Sequence, residues 1–129
     1  MATYAEVSEA VRGAIAAYAH ALDDGRVDAL VEMFCADGGI DMPGIGTQEG
    51  LDALRAVYAN LTPRRPQRHI VTNTEVTEWN DHEVTARSDL VFLLKGDAGW
   101  SVQMVGRYHD TLHRDGGSWR FHRRVLTAD

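Results

Sequence analysis

The chain has 129 residues, 44% hydrophobic and 25% charged, which is ordinary for one globular domain spanning 1–129. Its formal net charge of -6 has the wrong sign for neutralising nucleic-acid phosphates, and no apolar run nears the roughly 18 residues of a membrane helix. The one cysteine, Cys35, allows no internal disulfide, and Met1-Ala2-Thr3-Tyr4-Ala5-Glu6 lacks the basic start and apolar centre of a signal peptide. No nucleic-acid or membrane partner is expected, and the expected setting is the cytoplasm.

Residues 5–23 read as an amphipathic helix with Val7, Val11, Ile15, Tyr18 and Leu22 along one face. Gly25 supplies a left-handed residue to end it. Asp23 and Asp24 stand where the helix carbonyl dipole disfavours carboxylates. Asp24 is explained as a cap for a second short helix with Val27, Leu30, Val31 and Phe34 on one side. Asp23 has no such structural employment and becomes a candidate functional residue.

Gly38 to Gly46 is so rich in Gly and Pro that it predicts only a short strand and turns. Thr47 is the expected cap of a third helix, with Leu51, Leu54, Tyr58 and Leu61 as its buried stripe. Pro63-Arg64-Arg65-Pro66 breaks that helix. It forms a basic turn that suits either solvent or an acidic substrate at a pocket mouth.

From residue 68 the hydrophobic period becomes two, over segments 68–79, 83–95, 100–114 and 118–127. Asn80-Asp81, Gly96 to Gly99 and Asp115 to Gly117 separate them, and short connections predict antiparallel neighbours. The fold class is therefore α+β: three N-terminal helices on a curved, mainly antiparallel sheet, enclosing a conical pocket.

Four inward faces are expected. His69, Val71 and Asn73 share one, as do Trp100, Val102, Met104, Gly106, Tyr108 and Asp110. In the last strand Trp119, Phe121, Arg123 and Val125 form the core face, with Arg123 the odd member and Arg124 outward. Val84, Ala86, Ser88, Leu90 and Phe92 are preferred inward over Arg87 and Asp89, because small residues at 86 and 88 leave cavity space. Val105 and Leu126 are placed on the outer face, where self-association is expected.

The whole chain resembles the SnoaL-like and scytalone-dehydratase-like branch of the nuclear transport factor 2-like superfamily, whose fold is a cystatin-like α+β barrel. The residues that carry the resemblance are Tyr18-x4-Asp23, Gly44-Ile45-Gly46-Thr47-x2-Gly50, His69-x2-Thr72-Asn73, Gly106-Arg107-Tyr108-x-Asp110 and Trp119-Arg120-Phe121. Members of that branch include cofactor-free lyases with a catalytic Asp-His pair, and the resemblance assigns this pair to Asp23 and His69. The second pocket histidine of scytalone dehydratase has no counterpart, and Arg123 or Tyr108 is expected in its place. Homologous assembly implies a homodimer or homotrimer.

A neutral imidazole is a good proton acceptor near neutral pH, and a carboxylate on its other nitrogen fixes the tautomer. The expected chemistry is elimination from a small cyclic or polyketide- or steroid-like substrate, without cofactor or metal. His69 would be the base and Asp23 its orienter. Tyr18, Asn73, Tyr108 and Arg123 would bind substrate. Isomerisation or cyclisation could use the same base. Epoxide hydrolysis is a separate alternative, suggested by Arg87-Ser88-Asp89 but lacking a carboxylate at Phe121; a noncatalytic binding module is the last.

Overall fold

The computed structural model describes residues 2–129. Helix α1 runs Tyr4–Asp23 and opens with a capping box: the Thr3 hydroxyl accepts from the Glu6 amide while the Glu6 carboxylate accepts from the Thr3 amide. It ends as expected, with Gly25 at φ 70. Helix α2 is Val27–Glu32 and α3 is Leu51–Asn60. The strands are β1 Phe34–Met42, β2 Gly46–Glu49, β3 Gln67–Trp79, β4 Glu83–Gly96, β5 Gly99–Asp115 and β6 Ser118–Ala128. They form one curved, unclosed sheet in the order β2-β1-β6-β5-β4-β3, antiparallel except for the β1–β6 pair.

Several local expectations are overturned by identifiable physics. Asp24 does not cap α2: the N-cap is Arg26, without a side-chain bond, and Asp24 instead pairs with Arg26 on the surface. Thr47 does not cap α3, because it belongs to β2 opposite Asp41; Gly50 takes the N-cap. Leu61 is exposed beyond the end of α3 rather than part of its buried stripe. Phe34 starts a strand instead of ending a helix. The glycine-rich segment sustains a nine-residue strand because Gly38 and Gly39 sit where backbones crowd. A Cβ on Gly38 would meet the carbonyl oxygens of Cys35 and Phe121 at 2.9 Å, and one on Gly39 would meet that of Gln48 at 2.9 Å.

The remaining differences come from bulges, each of which reverses the in–out alternation beyond it. Between β5 and β6, Thr111 pairs with Arg123 while Leu112 pairs with Phe121, leaving His122 as the extra residue. Phe121 stays inward, and then Arg124 and Leu126 are buried in place of Arg123 and Val125. Between β4 and β5, Gln103 is the extra residue, so Met104 faces in but Trp100 and Val102 face out. Between β3 and β4 the register shifts after Thr72, and Asn73 takes φ 55, the single non-glycine residue with positive φ among the described residues. On β4 the preferred parity is the observed one, with Val84, Ala86, Ser88 and Leu90 buried.

The core lies between the concave sheet face and the helices. Val7, Val11, Ile15, Tyr18 and Leu22 of α1 pack there, with Leu54 and Tyr58 of α3, Phe34 and Phe121.

Candidate active site

Helix α1 carries Asp23 to its last turn, over the start of β3. There the carboxylate meets three donors from one strand. His69 Nδ1 lies 2.6 Å from Asp23 Oδ1, the His69 backbone N–H donates to Oδ2 at 2.9 Å, and the Gln67 side-chain amide donates to Oδ1 at 3.2 Å. The Asp23 and His69 side chains are only 8% and 11% exposed. Burial pushes the Asp23 carboxyl up, but the hydrogen bonds from His69 and then Gln67 more than offset it, leaving Asp23 below the ordinary 3.8. An ionised Asp23 holds the proton on His69 Nδ1 and leaves Nε2 as the open lone pair. Phe92 braces the ring from beside it, at 4.6 Å between centroids.

His69 lines an apolar cavity of about 290 Å³. Leu22, Met42, Ile45, Leu90, Phe92, Met104 and Leu126 make most of the wall, so Leu126, expected outside, is a cavity residue. Four polar side chains interrupt it: His69, Gln67, Tyr18 and Tyr108. The Tyr18 and Tyr58 hydroxyls are 2.8 Å apart. Burial raises the pKa of Tyr18, Tyr58 and Tyr108 above the ordinary 10.0, so all three phenols stay protonated and able to donate.

Behind this wall lies Arg124, 0% exposed. Its guanidinium stacks 3.6 Å from the Tyr108 ring centroid, 4.2 Å from that of Tyr18 and 4.9 Å from that of Phe121, and its Nε is 3.0 Å from Asp110 Oδ1. The contact with Asp110 is ionic rather than an aligned hydrogen bond, since neither group has a directed partner. Burial pushes the Asp110 carboxyl up to about 6 against the pull of Arg124.

Of the residues expected at the site, Asp23, His69, Tyr18 and Tyr108 come together around the cavity. Asn73 and Arg123 do not. The Asn73 amide donates to Asp89 on the exposed side of the β3 bulge, and Arg123 reaches Glu49 on the surface. Arg87 and Asp89 also point away, to Glu75 and Arg107 respectively, so the arrangement that suggested epoxide hydrolysis is not formed. Gln67 is the polar residue the sequence reading passed over; its same-face spacing from His69 was the available signal. Among the described residues, no three His, Cys, Asp or Glu side chains gather closely enough to hold a metal ion.

The match to the SnoaL-like domain family model runs over residues 3–125. The chain belongs to the SnoaL-like domain family. Similar solved structures agree on the fold. Rv3472 of Mycobacterium tuberculosis, a protein of unknown function, is 25% identical, with TM-score 0.89 over 95% of this chain and 72% of that one. A Catenulispora acidiphila structure in complex with S-DNPA is 25% identical, with TM-score 0.87 over 97% and 95% of the two chains. A candidate scytalone dehydratase from Novosphingobium aromaticivorans is 20% identical, with TM-score 0.84 over 95% and 84%. Others among these neighbours are described as cystatin-like and NTF2-like. No protein of curated function matches the SnoaL-like chain.

Proposed function

We propose that this SnoaL-like domain is a cofactor-independent lyase that removes water, or a comparable leaving group, from a small cyclic or polyketide- or steroid-like molecule. The observation that carries the reading is the buried Asp23–His69 contact on the wall of an apolar cavity. His69 Nε2 takes a proton from a carbon beside a carbonyl. The C–H electron pair becomes the new C=C bond as the C–O bond breaks, and the leaving oxygen takes the same proton back from the His69 imidazolium, departing as water and restoring the neutral base. Asp23 holds the tautomer and stabilises the imidazolium. Tyr18 donates a hydrogen bond to the carbonyl oxygen, where negative charge develops, and the dry wall strengthens that bond. Tyr108, whose ring lies 6.5 Å from that of Tyr18, lines the same cavity and is a second candidate for this role.

The candidate scytalone dehydratase and the S-DNPA complex among the structural neighbours support a small-molecule pocket. Isomerisation is the second reading, favoured by the same observation: if the proton on His69 returns to another carbon, nothing leaves. One experiment separates the two. A panel of cyclic β-hydroxy ketones and their unsaturated isomers is incubated in D₂O and followed by mass spectrometry. Water loss marks the lyase, and deuterium gain without water loss marks the isomerase. Neither occurring above the level of His69→Gln would sink both.

Self-association through the outer sheet face is part of the proposal. Ile70, Val91 and Val105 are cross-strand neighbours there, and Ile70 and Val105 are 43% and 45% exposed.

A further inference from the structure

The cavity does not end at its apolar wall. Leu61 and Gln67 line it, and both also line an adjoining surface depression formed by the turn after α3 and the end of β4, which includes Arg64, Arg65 and Leu94. The two arginines are exposed. Arg65 shares its charge with the exposed Asp97 at 3.4 Å, and Arg64 has no ion-pair partner among the described residues. In a chain of net charge -6 this is a local positive patch at one particular place, the rim beside the polar end of the cavity.

Behind His69 and Gln67 on the cavity wall the electrostatics run the other way. Asp23 is ionised and fully occupied by His69 and Gln67, so a second negative charge beside it would be repelled. An anionic group on a ligand is therefore driven off the wall near Asp23, past Gln67 and Leu61, towards the arginines. We propose that the depression is an anion subsite, and that the substrate is an organic acid: its apolar body occupies the cavity against His69 and its carboxylate, sulfonate or phosphate lies between Arg64 and Arg65. This rests on the reading of the cavity as the substrate site, and it narrows the substrate to an amphipathic anion.

Two fluorescent probes with one aromatic framework test it: 8-anilinonaphthalene-1-sulfonate and the uncharged N-phenyl-1-naphthylamine. At low salt the sulfonate is expected to bind about five- to tenfold more tightly, since each exposed charge pair contributes little alone. The advantage should shrink in high salt, where such contacts are screened. The double variant Arg64→Gln/Arg65→Gln, its fold checked by circular dichroism, should bring the sulfonate to the affinity of the neutral amine and leave the amine unchanged. Equal affinities in the native chain, or a double variant that weakens both probes alike or neither, overturns the subsite. Met104→Trp, which fills the cavity from a half-buried position, should displace both probes. If it displaces them but the arginine changes discriminate nothing, the subsite alone fails. If it displaces neither, the reading of the cavity falls with it.

Discussion

Asp23 grips His69 at two points, accepting from the ring Nδ1 through Oδ1 at 2.6 Å and from the backbone N–H through Oδ2 at 2.9 Å. Two bonds from one carboxylate fix both the strand and the imbedded ring, so the imidazole cannot turn without breaking a bond to a buried anion. A carboxylate at a helix carbonyl end is disfavoured by roughly 0.3–1 kcal/mol. The three donors from β3 offset that cost, and this is why an aspartate is tolerated at the end of α1.

Loss of either partner should separate chemistry from binding. His69→Gln removes the open lone pair, and Asp23→Asn allows the wrong tautomer while retaining hydrogen-bonding capacity. Each should reduce turnover of a substrate found by the D₂O screen by about 10² to 10⁴. Probe affinity in the cavity should change by less than about threefold, because the apolar wall is untouched. Steady-state kinetics beside probe titration measures both; full activity in either variant would remove the pair from the mechanism.

The same contact sets a pH dependence of stability. The native Asp23 carboxyl lies below its ordinary 3.8, so the native state binds its proton less readily than the unfolded chain does. Its stabilising contribution is fully present above 3.8 and is lost as pH falls through the native value. Asp110 works oppositely: burial raises it to about 6, so between 3.8 and 6 its ionisation subtracts from stability as pH rises. Urea unfolding of the native chain and Asp23→Asn should therefore show a stability difference that is constant from pH 7 down to about 5. It should shrink as acid is added further. A difference that grows in acid would reverse the assigned sign.

The extent to which all this was legible in sequence follows a physical line. Periodicity over 68–127 specified four long strands because each alternates against one buried face, and the last turn of α1 exposed Asp23 as a charge in an unfavourable field. What failed was parity. A strand read in steps of two is correct only until an extra residue enters, and nothing in Phe121-His122-Arg123-Arg124 says that His122 is that residue. Arg123 and Arg124 therefore exchanged places, and the cation found behind the cavity wall, Arg124, is the neighbour of the one expected there, Arg123. Asn73 failed for the same reason, at the bulge after Thr72. Caps failed differently: Thr47 is a good cap by type, but pairing with Asp41 in the sheet claims its backbone first.

The exchange matters, because Arg124 stands behind the two cavity tyrosines and against Asp110 with no solvent contact. Arg124→Met keeps much of the volume but loses the guanidinium stacked on Tyr18 and Tyr108 and strands the Asp110 charge. It should cost about 3–5 kcal/mol, read as a lowered urea midpoint. Adding Asp110→Asn removes the stranded charge and should recover a large part of that loss. A double variant as unstable as the single one would show that packing against the rings, rather than charge pairing, is what Arg124 contributes.

The outer face supplies the last prediction. Ile70 and Val105 flank Val91 in one cross-strand row, and Val102 lies next to them at 59% exposure. Exposed β-branched and aliphatic residues in neighbouring strands form a continuous apolar surface of the kind that a second copy covers. Beside the row Asp89 pairs with Arg107 and Arg87 with Glu75, while the exposed Arg68, opposite Leu93, lies over the Trp100 ring at 5.9 Å. Light scattering should find the chain as a dimer or trimer. Ile70→Lys/Val105→Lys places like charges on the face of every copy, so it should yield monomers with unchanged circular dichroism and unchanged probe binding, since neither residue lines the apolar cavity beside His69. A native chain that is monomeric at micromolar concentration would remove the outer face as an assembly surface, whereas a variant that still assembles would move the interface elsewhere.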